Sequence, residues 1–215
     1  MIVEERMRTY LNSLNPGNTP RLDQLEQKAL SEGIPIIRKE MQGFLKVLLQ
    51  MIRPMRILEV GTAIGFSTLL ICEYGPKELH IDTIENYEKR IPIAKQNFAD
   101  AGRERQICLL EGDAGRLLKE LDGPYDLIFM DAAKGQYIHW LPDVLRLLAP
   151  GGILVSDNVL QEGDLIESHY LVERRDRTIY KRMREYLYEL THHPQLETTI
   201  LPLGDGVSLS VRKKG

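Results

Sequence analysis

Cysteine is scarce: only Cys72 and Cys108 occur, with no C-x-x-C pair. Each sits among apolar residues, so both read as buried core thiols, and neither a disulfide framework nor a zinc site is expected. No apolar run approaches the ~20 residues that cross a bilayer. The opening MIVEERMRTYLNSL is charged and amphipathic and lacks the unbroken apolar stretch of a secretory signal. These absences predict a reducing, cytoplasmic setting and no membrane partner. An excess of positive charge is missing too. A net charge of −3 argues against nucleic-acid binding by bulk charge, while leaving room for a local basic patch. Internal repeats and low-complexity segments are absent. At 215 residues, 43% of them hydrophobic and 27% charged, the chain suits one sizeable core, a single domain over 1–215.

What is present falls into two rhythms. Residues 2–14, 20–32 and 38–52 carry helical patterns, separated by the breaker-rich NPGNTP and GIPII. Leu22, Leu25, Ala29 and Leu30 predict a buried stripe on the second helix, and Phe44, Leu45, Leu48, Leu49 and Ile52 one on the third. From residue 56 the pattern becomes RILEVG, LHIDTIE, QICLLEGD, YDLIFMD and GGILVSDN, short apolar runs spaced by helical segments. Runs apolar on both faces predict a parallel sheet covered on both sides. LETTILPL and GVSLSVRK, joined by a GDG turn, predict an antiparallel hairpin. The expected fold is a doubly wound α/β core over 54–215, preceded by a helical extension over 1–53.

Ligands of open α/β sheets bind at the carboxyl ends of the strands, so the residues standing there carry the chemistry. The first run ends in LEVGTAIGFS, whose Gly61 and Gly65 do not make a G-x-G-x-x-G fingerprint. A tight turn there admits a ligand close to the backbone, with Ser67 near the following helix N-terminus. A plain strand-to-helix turn needing small residues is the competing reading. Glu85 ends the second run, about 20 residues beyond the glycine turn, where an acid takes ribose hydroxyls; the alternative is an exposed cap of the next helix. Asp113 and Ala114 follow the third run and suit either an adenine edge or a helix N-cap. Asp131 ends the fourth run; Asp157 and Asn158 end the fifth. Either these are helix caps, or three oxygen ligands converge on a hard divalent cation such as Mg²⁺. Two carboxylates this close repel without a cation, which favours the metal. Lys134, three residues beyond Asp131, would return to the same rim if that step were one helical turn. His139, Trp140, His192 and His193 read as packing or surface residues.

The combination EVGTAIGFS, Glu85, EGDA, DAAKGQY and SDNV resembles the catechol and caffeoyl-CoA type of class I S-adenosylmethionine-dependent O-methyltransferases. The resemblance implies a seven-stranded, mostly parallel Rossmann-like sheet with its last strand antiparallel, and a homodimer whose interface is built by the N-terminal helices. It places Glu59, Gly61 and Ser67 around the methionine part of S-adenosylmethionine, Glu85 on the ribose, and Asp113 with Ala114 on the adenine. It gives Arg38 a backbone contact to the cofactor and counts Asp131 beside the cofactor as well. Asp131, Asp157 and Asn158 match magnesium ligands, and Lys134 matches a catalytic lysine that accepts or orients the acceptor's proton. Tyr137 matches a family tyrosine better explained by helix packing. Ala63 departs from relatives that carry an aromatic residue there.

Residues 173–185, ERRDRTIYKRMRE, set Arg174, Arg177, Lys181 and Arg184 on one helical face, broadened by Arg175 and Arg182. Ile179, Met183, Tyr186, Leu187 and Leu190 are expected on the buried side. A solvated surface helix with Glu173, Asp176 and Glu185 as partners accounts for this pattern. So does a phosphate-contacting face, and DNVLQEGDLIESHY followed by RRDRTIYKRMREYL resembles the bacterial tRNA 5-hydroxyuridine methyltransferases of the same family. That resemblance implies methylation of wobble 5-hydroxyuridine to 5-methoxyuridine, with the anticodon stem-loop of tRNA as partner. The alternatives are a small-molecule catechol-type methyltransferase and a non-catalytic RNA- or nucleotide-binding module.

Overall fold

Pro20 opens a helix at a position where its missing N–H costs nothing, and left-handed Arg53 closes the next. Such local signals set the elements of the computed structural model, which describes residues 4–166 and 172–215. The ESHYL stretch used in the sequence comparison, residues 167–171, lies outside the described residues, as do helix positions 2 and 3. The chain divides into two compact units, Glu5–Ala114 and Gly115–Gly215.

The first unit holds α1 (Glu5–Ser13), α2 (Pro20–Ser31) and α3 (Lys39–Ile52), then β1 (Arg56–Val60), α4 (Phe66–Tyr74), β2 (His80–Glu85), α5 (Ile91–Asp100) and β3 (Ile107–Glu111). α2 buries Leu22, Leu25 and Ala29 as expected, but Leu30 is 67% exposed. One residue past Ala29, it has turned about 100° from the buried face. α3 buries Leu45, Leu48 and Leu49 together with Met41, leaving Phe44 and Ile52 half-buried. β1 pairs in parallel with β2, and β2 with β3, so Glu85 lies level with Glu111. β3 is an edge strand, and this corrects one expectation: Cys108 is exposed, not a core thiol. Cys72 is buried in α4, where burial pushes its thiol up to about 12.

α6 (Ala114–Glu120) begins at the division. The second unit continues with β4 (Tyr125–Met130), a 3-10 turn (Lys134–Gln136), α7 (Tyr137–Leu147), β5 (Leu148–Asp157), a second 3-10 turn (Gln161–Ile166), α8 (Arg177–His192), β6 (Leu196–Leu201) and β7 (Val207–Arg212). β4 and β5 pair in parallel, whereas β7 runs antiparallel to both β5 and β6, so the GDG hairpin is confirmed. Strand order is β3-β2-β1-β4-β5-β7-β6, the seven-stranded sheet expected. Among the described residues, no helix is long and apolar enough to cross a membrane.

α8 departs from its predicted form. It begins at Arg177, after a turn in which the Asp176 N–H donates to the Glu173 carbonyl (2.8 Å), so Arg174 and Arg175 precede the helix. Its buried stripe is Tyr180, Met183, Tyr186 and Leu190, with Ile179 and Leu187 half-buried. Tyr186 can sit inside because its hydroxyl shares a hydrogen bond with Ser156 Oγ at 2.7 Å.

Candidate active site

In the first unit the chain leaves β1 through a turn in which alternate residues have positive φ: Gly61 (φ 109°), Ala63 (φ 47°) and Gly65 (φ 83°). Gly65 is required twice over, since a Cβ there would stand 2.3 Å from the Phe98 ring of α5. Ser67 is buried in the first turn of α4. The carboxylate of Glu85 is pinned by three backbone N–H groups: Ala63 donates to Oε2 at 2.7 Å, while Asn86 and Tyr87 donate to Oε1 at 3.0 and 2.8 Å. Thus Glu85 does not stand loose at a helix start; it ties the glycine turn to the end of β2. An ionised carboxylate accepts about four hydrogen bonds, so acceptor capacity remains for a ligand hydroxyl. A turn without side chains at two positions, beside a fixed acid, fits an adenosine-bearing cofactor.

Glu59 is fully buried, and its Oε2 accepts from the Thr68 and Thr83 hydroxyls, while Thr62 and Thr83 share a hydrogen bond of 2.7 Å. Its observed contacts brace the turn from within the unit; these threonines were not among the residues singled out from sequence. Asp113 is exposed and directly precedes α6, whose first residue, Ala114, is buried. Arg38 is the N-cap residue of α3, and its carbonyl accepts the Gln42 N–H at 3.0 Å.

The second unit assembles Asp131, Lys134, Asp157 and Asn158. Asp131 is not a helix cap, because the following 3-10 turn has Ala133 at its N-cap and α7 has Gln136. Residues 131–133 are non-helical, so the step to Lys134 is not the helical turn expected either. Tyr137 holds this corner instead: its buried hydroxyl accepts the Ala132 N–H (2.9 Å) and donates to the Met130 carbonyl (3.2 Å). The Asn158 amide donates to Asp131 Oδ1 at 3.1 Å, and the Asn158 N–H donates to Asp157 Oδ1 at 2.7 Å. Asn158 adopts φ 59°, a left-handed conformation that asparagine tolerates better than most residues.

Electrostatics set these acids apart. Burial, then the charge of Asp131, pushes the Asp157 carboxyl up to about 7, and Asp205 adds to the rise. Burial also raises Asp131, against the opposing pull of Lys134 and the Asn158 amide. Two desolvated carboxylates that resist simultaneous ionisation, beside an amide, are a donor set that fits a hard divalent cation. Among the described residues, no group of three or more His, Cys, Asp or Glu side chains gathers as a metal cluster, so an ion here would lean on the Asn158 amide oxygen. That oxygen is offered once the amide turns over.

The stability consequence has a definite sign. Asp157 is raised from its ordinary 3.8 to about 7, so the folded state holds a proton that the unfolded chain has lost. Its penalty is absent below pH 4, grows between there and 7, and is complete above. Asp157→Asn, which keeps an acceptor for the Asn158 N–H, is expected to raise the melting temperature at pH 8. The gain should be several degrees, at roughly 2–4 °C per kcal/mol, and should vanish near pH 4. Calorimetry in EDTA checks this. Millimolar magnesium should then raise the melting temperature of the wild type and not of the variant.

Asp205, in the GDG turn, also reaches this rim and was missed from sequence: Lys134 Nζ lies 3.4 Å from its Oδ2. The basic stretch is less available than its pattern implied. The guanidinium of Arg177 donates to the Val172 carbonyl, that of Arg182 to Gly135 and that of Arg184 to Leu165. Arg175 pairs with Glu173 and Asp176 at the surface, and Arg174, Lys181 and Arg184 are exposed as well. His139 and His192 are exposed, His193 half-buried and Trp140 packed inside, in keeping with surface and packing roles.

A family model described as O-methyltransferase matches residues 15–214. A catechol O-methyltransferase of Niastella koreensis is 31% identical over 179 residues, which cover 79% of each chain. Caffeoyl-CoA O-methyltransferase 2 of Populus trichocarpa is 30% identical over 185 residues, 80% of this chain and 72% of its own. The SAH-bound methyltransferase PaMTH1 of Podospora anserina superposes with a TM-score of 0.87 at 26% identity, covering 97% of this chain and 94% of that one. Glycine turn, pinned acid and sheet order agree with these likenesses: the chain belongs to the O-methyltransferase family, as a class I S-adenosylmethionine-dependent enzyme of the catechol and caffeoyl-CoA type.

Proposed function

We propose that the protein methylates one hydroxyl of a small aromatic vicinal diol. The observation that carries this reading is the gathering of Asp131, Asp157 and Asn158 with Lys134. A diol can offer two oxygens to such a site, and the curated relatives named above are small-molecule enzymes of this kind. The glycine turn with Glu85, Ser67, Asp113, Ala114 and Arg38 would hold S-adenosylmethionine, which supplies an electrophilic methyl and leaves as S-adenosylhomocysteine. Asp131, Asp157 and Asn158 would hold Mg²⁺, whose charge makes a nearby hydroxyl more acidic. Lys134 takes the hydroxyl proton or steers the oxygen that loses it. A C–O bond then forms as the C–S bond breaks, and alignment of the two reactants supplies much of the rate.

A second reading, methylation of wobble 5-hydroxyuridine in tRNA, draws on the exposed Arg174 and Lys181 beside α8. Arg177, Arg182 and Arg184 each donate to a backbone carbonyl, which restricts their reach while leaving their charge and further N–H donors. One experiment separates the two: labelled methyl transfer to catechol and to bulk tRNA carrying 5-hydroxyuridine, each with and without EDTA. The diol reading expects EDTA-sensitive labelling of catechol and none of tRNA. Labelled tRNA without labelled catechol overturns it, and in that case Arg174→Glu with Lys181→Glu should flatten the salt dependence of tRNA binding.

A further inference from the structure

The GDG turn joining β6 to β7 does more than reverse the chain. Its Asp205 is 4% exposed, yet it belongs to the segment packed directly on the loop that carries Asp157 and Asn158. The Leu160 N–H donates to the Asp205 carbonyl and the Val159 N–H to the Gly206 carbonyl, both at 2.9 Å. Gly206 adopts φ 84°, and a Cβ there would stand 2.3 Å from Leu160 Cγ, so only glycine lets the two segments close to this distance. β7 carries the arrangement onward, with Val207 opposite Asp157 in the ladder. The turn is therefore fixed to the rim by backbone, and Asp205 is the side chain it delivers there.

What that side chain meets is the Lys134 ammonium, 3.4 Å from Oδ2. Lys134 sits on a one-turn 3-10 segment preceded by irregular backbone, with a long side chain about one-third exposed. Such a side chain has many rotamers, and a fixed buried acid selects among them. We propose that Asp205 is a positioning residue, which holds the Lys134 amine in register with the acceptor hydroxyl through this ion pair. The role rests on Lys134 acting on the acceptor as described above. In this role Asp205 acts through the lysine, from a turn 71 residues further along the chain.

Two readouts test this, one of them independent of turnover. Asp205→Asn should free the amine, so that trace acetylation of Lys134, followed by peptide mass spectrometry, quickens at least about five-fold. With catechol and S-adenosylmethionine, kcat should fall about 10–100-fold, as misplacement by an ångström does, while KM for the methyl donor stays within about two-fold. In a Lys134→Ala background the same substitution should cost less than about two-fold, because the residue it acts through is gone. Equal losses in both backgrounds, or an unchanged acetylation rate, overturn the proposal. Should Asp205→Asn fail to fold, Asp205→Glu is read in its place: the longer acid displaces the amine, kcat falls, and an unchanged kcat overturns the proposal. A wild type that methylates no catechol refutes the diol reading alone, since the acetylation of Lys134 still decides whether Asp205 holds it.

Discussion

In an Asp131→Asn variant, methyl transfer is expected to fall by ~10²–10³-fold, the loss seen when one electrostatic partner of a reacting oxygen is removed, while the melting temperature holds or rises. The two halves of that expectation have separate causes. Burial raises the Asp131 carboxyl, so its charge is one that folding tolerates at a cost. An amide of the same shape removes the charge and still offers Oδ1 to the Asn158 amide 3.1 Å away. Stability therefore holds or rises, and the Tyr137 hydroxyl still fixes the following residue through the Ala132 N–H. Transfer is expected to suffer because one of two carboxylates would be gone, and with it local negative charge that would favour a bound divalent cation and that balances Lys134. Neutralising Asp131 should also lower the Asp157 carboxyl, which its charge helps to raise. The pH-dependent loss of stability assigned to Asp157 should accordingly shrink in the Asp131→Asn background. Transfer assays paired with calorimetry at pH 5 and pH 8 read both effects. Full activity in the variant would remove Asp131 from the chemistry, and a collapsed melting temperature would make it a structural residue first.

The acids at the strand ends were legible because a parallel strand buried on both faces is an apolar run. Whatever polar residue ends the run has reached the rim. β2, β4 and β5 follow that rule, which is why Glu85, Asp131 and Asp157 stood out, whereas the acid of β1, Glu59, lies inside its strand and is fully buried. The edge strand β3 does not: only Ile107 is buried, Leu109 and Leu110 are half-buried, and Cys108 is exposed, so the reading of Cys108 as a core thiol fails there. Local pattern also misjudged the geometry after Asp131. A helical spacing was assumed where the chain stays irregular until Lys134, and no propensity in DAAKGQY distinguishes the two.

What escaped was the loop on which the terminal hairpin's turn lands. Glycines in GDG signal a turn, and the aspartate between them reads as a turn residue. Only the antiparallel registration of β7 on β5 shows that the turn lands against Val159 and Leu160. In the same way, charge spacing alone cannot tell a guanidinium offered to solvent from one that donates to a carbonyl of its own chain. Arg177 and Arg182 are of the second kind, and Arg184 donates to Leu165 while remaining exposed. Their substitution should disturb the loops they hold before it disturbs any ligand.

Glu85 carries the other large expected effect, on cofactor affinity. In Glu85→Gln the amide keeps one acceptor oxygen and presents an NH₂ group to backbone donors that now find a carboxylate. If the oxygen stays with Asn86 and Tyr87, the NH₂ faces the Ala63 N–H, now 2.7 Å from Oε2; turned the other way, it faces the other two. Either choice sets donor against donor and leaves at least one partly buried N–H without its acceptor, a loss of ~1–3 kcal/mol. The turn through left-handed Ala63 should open, and the loss of a charged acceptor for ribose hydroxyls adds ~1.5–3 kcal/mol. Titration calorimetry with S-adenosylhomocysteine is expected to show affinity lower by at least ~30-fold, a little over two units of 1 kcal/mol at room temperature. Glu85→Asp keeps the charge but draws it back by one methylene. It should recover part of the stability lost from the turn and little of the affinity, because the shorter acid cannot brace Ala63 and reach a ligand together. Affinity unchanged in both variants would leave Glu85 as a brace for the glycine turn, with the cofactor held by backbone alone.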